Sequence, residues 1–311
     1  GEGGNIVSTS PGSLPTVNLT QAFIQTAASA QLMDQTAQSI LNEPDLSNPS
    51  LPSLAGDVQA SKQSASLWVN TLSPQVDSVK NDIITFGTQF NQDLTALQAL
   101  VPQVSGGDAS ATAQFQSTLS ALNSQVTAKQ SEVQTLNGSL DSFRVQVEAN
   151  DQALSGDAQQ ANAQLSGLQS EMQQVSRQLA KINSELAQER SASGIALRIL
   201  EDIFSMGLAE LANNQSKLES EANQLEGRLS QLQQQTGQLY QVSHDLSQFD
   251  GLTGQLVSGV TGLSTAWQTL GTRLNDVMNN VSTGSAFLSA QLQEMQSDWQ
   301  EVLSAAQELQ S

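Results

Sequence analysis

Cysteine is absent from this chain of 311 residues. Disulfide frameworks, thiolate zinc sites and cysteine nucleophiles are thereby excluded. Aromatic residues make up only 4% of the chain, too few for a thick globular core. A fold must instead be built on Leu, Val and Ala, as thin layers of long helices can be. Basic residues are scarce as well: 11 Lys and Arg stand against 30 Asp and Glu, a net charge of −19. That balance argues against nucleic acid as a partner and against electrostatic docking on anionic lipid, since both reward Lys and Arg. A hydrophobic membrane contact remains open. No apolar run reaches the roughly 18–20 residues of a transmembrane helix. His244 is the single histidine; with no second His and no Cys, a transition-metal site has too few ligands. No Gly-rich phosphate loop is present. Glu201 and Asp202 are adjacent carboxylates, but neighbouring helix residues point about 100° apart, so they read as a solvated face rather than an acid–base pair. Neither a cofactor nor an enzymatic activity is expected.

Proline is confined to one end. All seven prolines lie before residue 103, and the remaining residues have none. Because proline breaks helix interiors at about 3 kcal/mol, its absence permits very long helices. The first 16 residues are rich in Gly, Ser and Pro and are expected to be disordered. A first helix is expected over about Leu19–Leu41, with Asn18 as its N-cap, followed by a loop at NEPDLSNPSLPSLAG. A second should run from about Asp57 to Leu100 with apolar positions from Trp68 to Val101, kinked where Pro74 frees the carbonyl of Asn70.

The third helix is the main arm. From Phe115 to Leu186 its core positions recur in steps of four and three, a heptad register held for 72 residues. A helix of about 80 residues is roughly 120 Å long, which no compact domain contains. The register is weakest at Asn150–Ala161, where small and polar residues take core positions. Beyond residue 212 the pattern resumes from Leu218 to Phe249, is expected to break at the hinge-like DGLTGQLVSGVTG (Asp250–Gly262), and runs again from Leu256 to Leu309 as one last helix in which only Gly284 misses. These lengths predict an all-α, elongated antiparallel bundle. Residues 17–150 and 255–311 would form its tail, 151–193 and 213–254 a two-helix coiled-coil neck, and 194–212 a small head.

That head, GIALRILEDIFSMGLAELA, is the densest apolar stretch: 12 of its 19 residues are apolar and two are Gly. Arg198, Glu201, Asp202 and Ser205 fall at i, i+3, i+4 and i+7, one narrow polar stripe on a helix. Ile195, Leu197, Ile199, Leu200, Ile203, Phe204, Met206, Leu208 and Leu211 would cover the rest and are the candidate membrane-contacting residues. Gly194 and Gly207 are candidate flex points. Buried in solution, such a tip would be a plain hairpin end; exposed to lipid, an amphipathic helix of this size can lie in one leaflet or line a pore with its stripe toward water.

Two stretches resemble a known family. ASLWVNTLSPQVDSVKNDIITFGTQFNQDLTAL (Ala65–Leu97) is similar to a helix of the haemolysin BL and non-haemolytic enterotoxin components through Trp68, Pro74, Ile83, Phe86, Phe90 and Asn91. EVQTLNGSLDSFRVQVEANDQALSGDA (Glu132–Ala158) resembles their next helix through Val133, Leu136, Leu140, Phe143, Arg144 and Asp151. The family belongs with the cytolysin A-type α-helical pore-forming toxins. The resemblance implies a secreted protein, soluble until it converts on a target-cell membrane, that self-associates in a pore with other components of the same toxin. It also leaves open whether the soluble head is helical or a β-tongue. The head departs from pore-spanning members, since two spanning helices need about 40 apolar residues. This chain is therefore expected to be one component rather than a self-sufficient pore. The reading from a different class is a structural or adhesive coiled-coil spacer with no membrane step.

Overall fold

The computed structural model describes residues 16–192 and 201–310, with side chains over 19–185, 187 and 213–309. Six α-helices are present among them: α1 (Thr16–Asn42), α2 (Leu54–Leu67), α3 (Ser73–Ser105), α4 (Ala109–Ala192), α5 (Glu201–Asn279) and α6 (Ser285–Gln310). No strand occurs among the described residues, only an isolated bridge between Asn48 and Leu51. The fold is an all-α antiparallel helical bundle, as the heptad spacing and confined prolines predict. The chain divides into two compact units. One comprises the residues up to Asn42, Ser61–Ala149 and those from Asp245 onward; the other comprises Glu43–Ala60 and Asn150–His244.

The first unit packs α1, α3, α6 and segments of α4 and α5 around a continuous core. Phe115, Leu119, Leu122, Val126, Val133, Leu136, Leu140, Phe143 and Val147 of α4 are all buried, so its heptad seam is fully used here. Lys129, which falls on that seam, reaches aside to Asp82 at 3.0 Å and Glu132 at 3.6 Å. Burial pushes its ammonium down, but the bond to Asp82 and the charges of Asp82 and Glu132 outweigh this and raise its pKa. The few aromatics are pooled. Phe86, Phe90, Trp267 and Trp299 form one cluster with ring centroids 4.9–5.8 Å apart, Phe86 and Phe90 stacked and the other pairs in edge or tilted geometries. Gly87 lets α3 approach this cluster, because a Cβ there would sit 2.9 Å from Trp299.

Four expectations from the sequence need correction. The Asp57–Leu100 helix is not α-helical throughout. Between α2 and α3 lies a π-helical turn, Trp68–Leu72, in which the Ser73 N–H donates to the Trp68 carbonyl. Widening the turn gives the Pro74 ring room where an α-helix would clash. Asp34 of α1 accepts from Trp68 Nε1 and Ser73 Oγ at the same place, each at 2.8 Å. Second, α1 begins at Thr16, so Asn18 lies inside the helix rather than capping it.

Third, Asp250–Gly262 is no hinge: α5 runs through it without a break. Its glycines serve close packing instead. A Cβ on Gly259 would meet Thr26 Oγ1 at 2.6 Å, and one on Gly262 would meet Ala22 Cβ at 2.8 Å. These glycines are what lets α1 lie against α5. Fourth, the last helix is two. It turns back at Asn280 through a 3₁₀ turn, Val281–Thr283, and Gly284 with φ +127°, a backbone angle that excludes side chains. The resulting α5–α6 hairpin closes on Arg273, whose buried guanidinium bonds Glu294 at 2.7 Å and Asp298 at 3.2 Å.

Candidate functional site

In the second unit α4 and α5 run antiparallel. Gln215 Nε2 donates to Asn183 Oδ1 at 2.6 Å, and Asn162 Nδ2 donates to Tyr240 Oη. Leu154, Ala161, Leu168, Val175, Leu225, Leu232, Leu239 and Val242 are buried along the shared seam. The seam is not covered equally along its length. A strap formed by residues 43–53 and the first turns of α2 lies over one part, burying Leu46, Leu51, Leu54 and Val58. Asn48 Nδ2 donates to Gln235 Oε1 (2.7 Å), Gln235 Nε2 to the Ser47 carbonyl (3.0 Å), and Gln164 Nε2 to the Ser50 carbonyl (2.5 Å). Past the strap the pair is alone, and Met172, Leu179, Ile182, Leu218, Ala222 and Leu229 are only half-buried. Two helices can bury one narrow stripe each, and among the described residues no third element supplies the other side.

One ionisable pair is enclosed beneath the strap. Asp157 of α4 is 3% exposed and hydrogen-bonded to Asp57 in the first turn of α2. Burial, the bond to Asp57 and its negative charge raise the Asp157 carboxyl to about 7. Sequence reasoning missed this pair. Asp157 sits one residue from a core position in a heptad, and a loop composition of Asn, Pro and Ser gives no sign that it will fold over a neighbouring seam.

The α4–α5 pair leads to the predicted head. Gly194, Ile195, Leu197, Arg198, Ile199 and Leu200 lie outside the described residues. Glu201, Asp202, Ile203, Phe204, Ser205, Met206, Gly207, Leu208 and Leu211 occupy the first turns of α5, and their side chains are outside what is described. Among the described residues no helix is long and apolar enough to cross a membrane. None of their His, Asp and Glu side chains group as a metal site. His244 lies exposed on α5.

The family described as Bacillus haemolytic enterotoxin (HBL) matches residues 13–189 of this chain. No curated protein matches it by sequence. Among solved structures, the chain is similar to the pore form of AhlB, from the tripartite α-pore-forming toxin AHL of Aeromonas hydrophila. Identity is 15%, over 95% of this chain and 96% of that one, with a TM-score of 0.68. The soluble form of AhlC from the same toxin aligns at 17% identity over 89% of this chain and 97% of that one, TM-score 0.68. The HblL1 toxin component of Bacillus cereus aligns at 16% identity over 94% and 96% of the two chains, TM-score 0.62. At such identities these likenesses speak for the fold.

Proposed function

The chain belongs to the Bacillus haemolytic enterotoxin (HBL) family, and we propose that it is one component of a secreted α-pore-forming toxin, acting with other components of the same toxin on a target-cell membrane. AhlB and AhlC are parts of a tripartite toxin, and AhlB is known in a pore; the shared fold supports the same role here. The reading needs no catalytic step and no cofactor.

The observation that carries the mechanism is the composition of 194–212 at the point where the chain passes from α4 to α5. In this proposal the bundle of the first unit is a tail, the paired α4 and α5 form a neck, and 194–212 is the head. Large apolar side chains each favour burial by about 1.5–3 kcal/mol, so the head stays shielded until lipid or a partner component meets it. Released about Gly194 and Gly207, it joins an oligomer. Ile203, Phe204 and the other apolar residues turn toward lipid or neighbouring heads, and Arg198, Glu201, Asp202 and Ser205 turn toward water. A stripe of this polarity suits a head that shares the lining of a pore with others.

Two measurements test this. Red-cell lysis by the mixed components should depend on whether this protein is present. Ile203→Asp or Phe204→Asp should abolish its contribution while leaving circular dichroism unchanged. Full lytic activity of either variant with its partners would remove the head from the mechanism. Strong lysis of lipid vesicles by the protein alone would overturn its status as one component among several. A constitutive oligomer indifferent to lipid and detergent would return the coiled-coil spacer reading.

A further inference from the structure

Six of the 11 Lys and Arg lie between residues 177 and 228, so this is where a chain of net charge −19 can present basic surface. On α4, Arg177 and Lys181 are exposed i,i+4 neighbours on one face. On α5, Glu219 and Glu226 are exposed and seven residues apart, so they share a face beside the seam. None of the four makes an ion pair with a described residue. Other charges of both signs stand nearby. Glu171 and Arg228 line one cavity of about 510 Å³. Asn183 faces Gln215, which sets Glu185 and Lys217 within about 6 Å of one height across the pair; Glu221 lies one turn from Lys217 on that same flank of α5. The same register sets Arg177–Lys181 level with residues 217–221, and Glu226 about 7.5 Å farther along. A basic face and an acidic face thus stand at nearly one height on different helices of one unit, the acidic one beside the α4–α5 seam and the basic one on the side of α4 away from it.

We propose that this section of the α4–α5 pair is the contact between identical copies of the chain in the assembled state, with Arg177 and Lys181 of one copy meeting Glu219 and Glu226 of the next. The proposal rests on the reading of the protein as an oligomerising toxin component. The occupant follows from symmetry. In a closed ring of identical subunits, each interface joins two different patches of the same chain at the same height. A different protein as the partner would place no demand on this chain to carry both halves of the match. Exposed charges of opposite sign on two helix faces are also how helices set their partner and register.

Charge reversal tests it. Variant one carries Arg177→Glu and Lys181→Glu; variant two carries Glu219→Lys and Glu226→Lys. All four positions are exposed, so both should fold, checked by circular dichroism. Oligomers are quantified by cross-linking and electron microscopy after incubation with phosphatidylcholine–cholesterol vesicles or dodecyl maltoside micelles. Wild type should assemble, less so as salt rises from about 50 to about 500 mM. Each variant alone should assemble about tenfold less, since its exposed pairs become repulsive. An equimolar mixture should recover, because variants one and two can alternate, and the fourfold variant should recover alone. Unimpaired assembly of both single-patch variants overturns the contact. So does impairment that neither the mixture nor the fourfold variant rescues. Wild type that stays monomeric in vesicles and micelles overturns this contact between identical copies, whereas the toxin reading stands or falls on mixed-component red-cell lysis, so the two failures are distinguishable.

Discussion

In the first unit α4 is buried at its seam positions from Phe115 to Val147, Lys129 excepted; in the second unit the same helix leaves Leu165, Met172, Leu179 and Ile182 half-covered. One seven-residue spacing, from Leu119 through Val147 and Leu154 to Ile182, runs unbroken through both, while its companion shifts by one residue between Asn150 and Ala158. What changes is the number of elements packed on it. In the first unit α3, α5, α6 and α1 share the burial and bring the aromatics with them. In the second, α5 is the one full-length partner, helped for part of the way by a strap of 18 residues, Glu43–Ala60. One periodic sequence therefore makes a closed core where helices converge and a half-covered surface where they do not. Local stability follows buried area, and function is drawn to the side that is left incompletely covered.

The contrast can be broken most severely at Trp299. It is 1% exposed and touches Phe86, Phe90 and Trp267. Trp299→Ala should cost about 3–5 kcal/mol in denaturant unfolding, the range for emptying a buried aromatic site. A loss below about 1 kcal/mol would show that the aromatic pool is not the centre of the first unit.

Next in size is the proton under the strap. The raised Asp157 carboxyl makes the folded state hold a proton that the unfolded chain, at 3.8, has lost. Its stabilisation is complete below pH 3.8 and disappears as pH rises through about 7. Amide exchange over residues 43–60 should therefore quicken from acidic to neutral pH more than intrinsic exchange chemistry explains. Asp157→Asn, which keeps a donor for Asp57 and cannot ionise, should remove that excess. An unchanged excess in the variant would detach the strap from this pair.

Gly259→Val probes the close approach of α1 to α5. A Cβ at this position would stand 2.6 Å from Thr26 Oγ1, so overpacking should cost about 1–3 kcal/mol, and protease should release α1 before the rest of the bundle. Smallest is Leu179→Ala, in the half-covered seam. It should cost about 1 kcal/mol, below the 2–5 kcal/mol of a buried leucine. A loss matching a buried site would mean that the second unit is covered more completely than the two helices account for.

Much of this could be read from residue order. Heptad steps, the confinement of proline before residue 103 and the Trp68–Pro74 stretch predicted the helix class and most helix limits. Reasoning by residue type failed where a residue's role depends on what lies across from it. Gly259 and Gly262 look like breakers, yet the space their side chains would take is filled by Thr26 and Ala22. Gly284 looked like a single missed core position, yet its positive φ turns the chain back on itself. Nothing in the heptad pattern singles out Arg273, yet α6 encloses it between Glu294 and Asp298. Pro74 did mark a disturbance, and it takes the form of a π-turn just upstream.

The apolar composition of the head and its polar stripe are local, written in 19 consecutive residues. So is the all-helical character, because periodicity and proline placement act over one or two turns. Burial is not local. Whether Leu179 is a core residue or an interface residue, whether Asp157 keeps its proton, and whether glycine bends a helix or admits a neighbour each depend on a segment far away in sequence. Only the packed structure decides them, since coverage of a helix face is a property of its neighbours and the same heptad satisfies one neighbour or four.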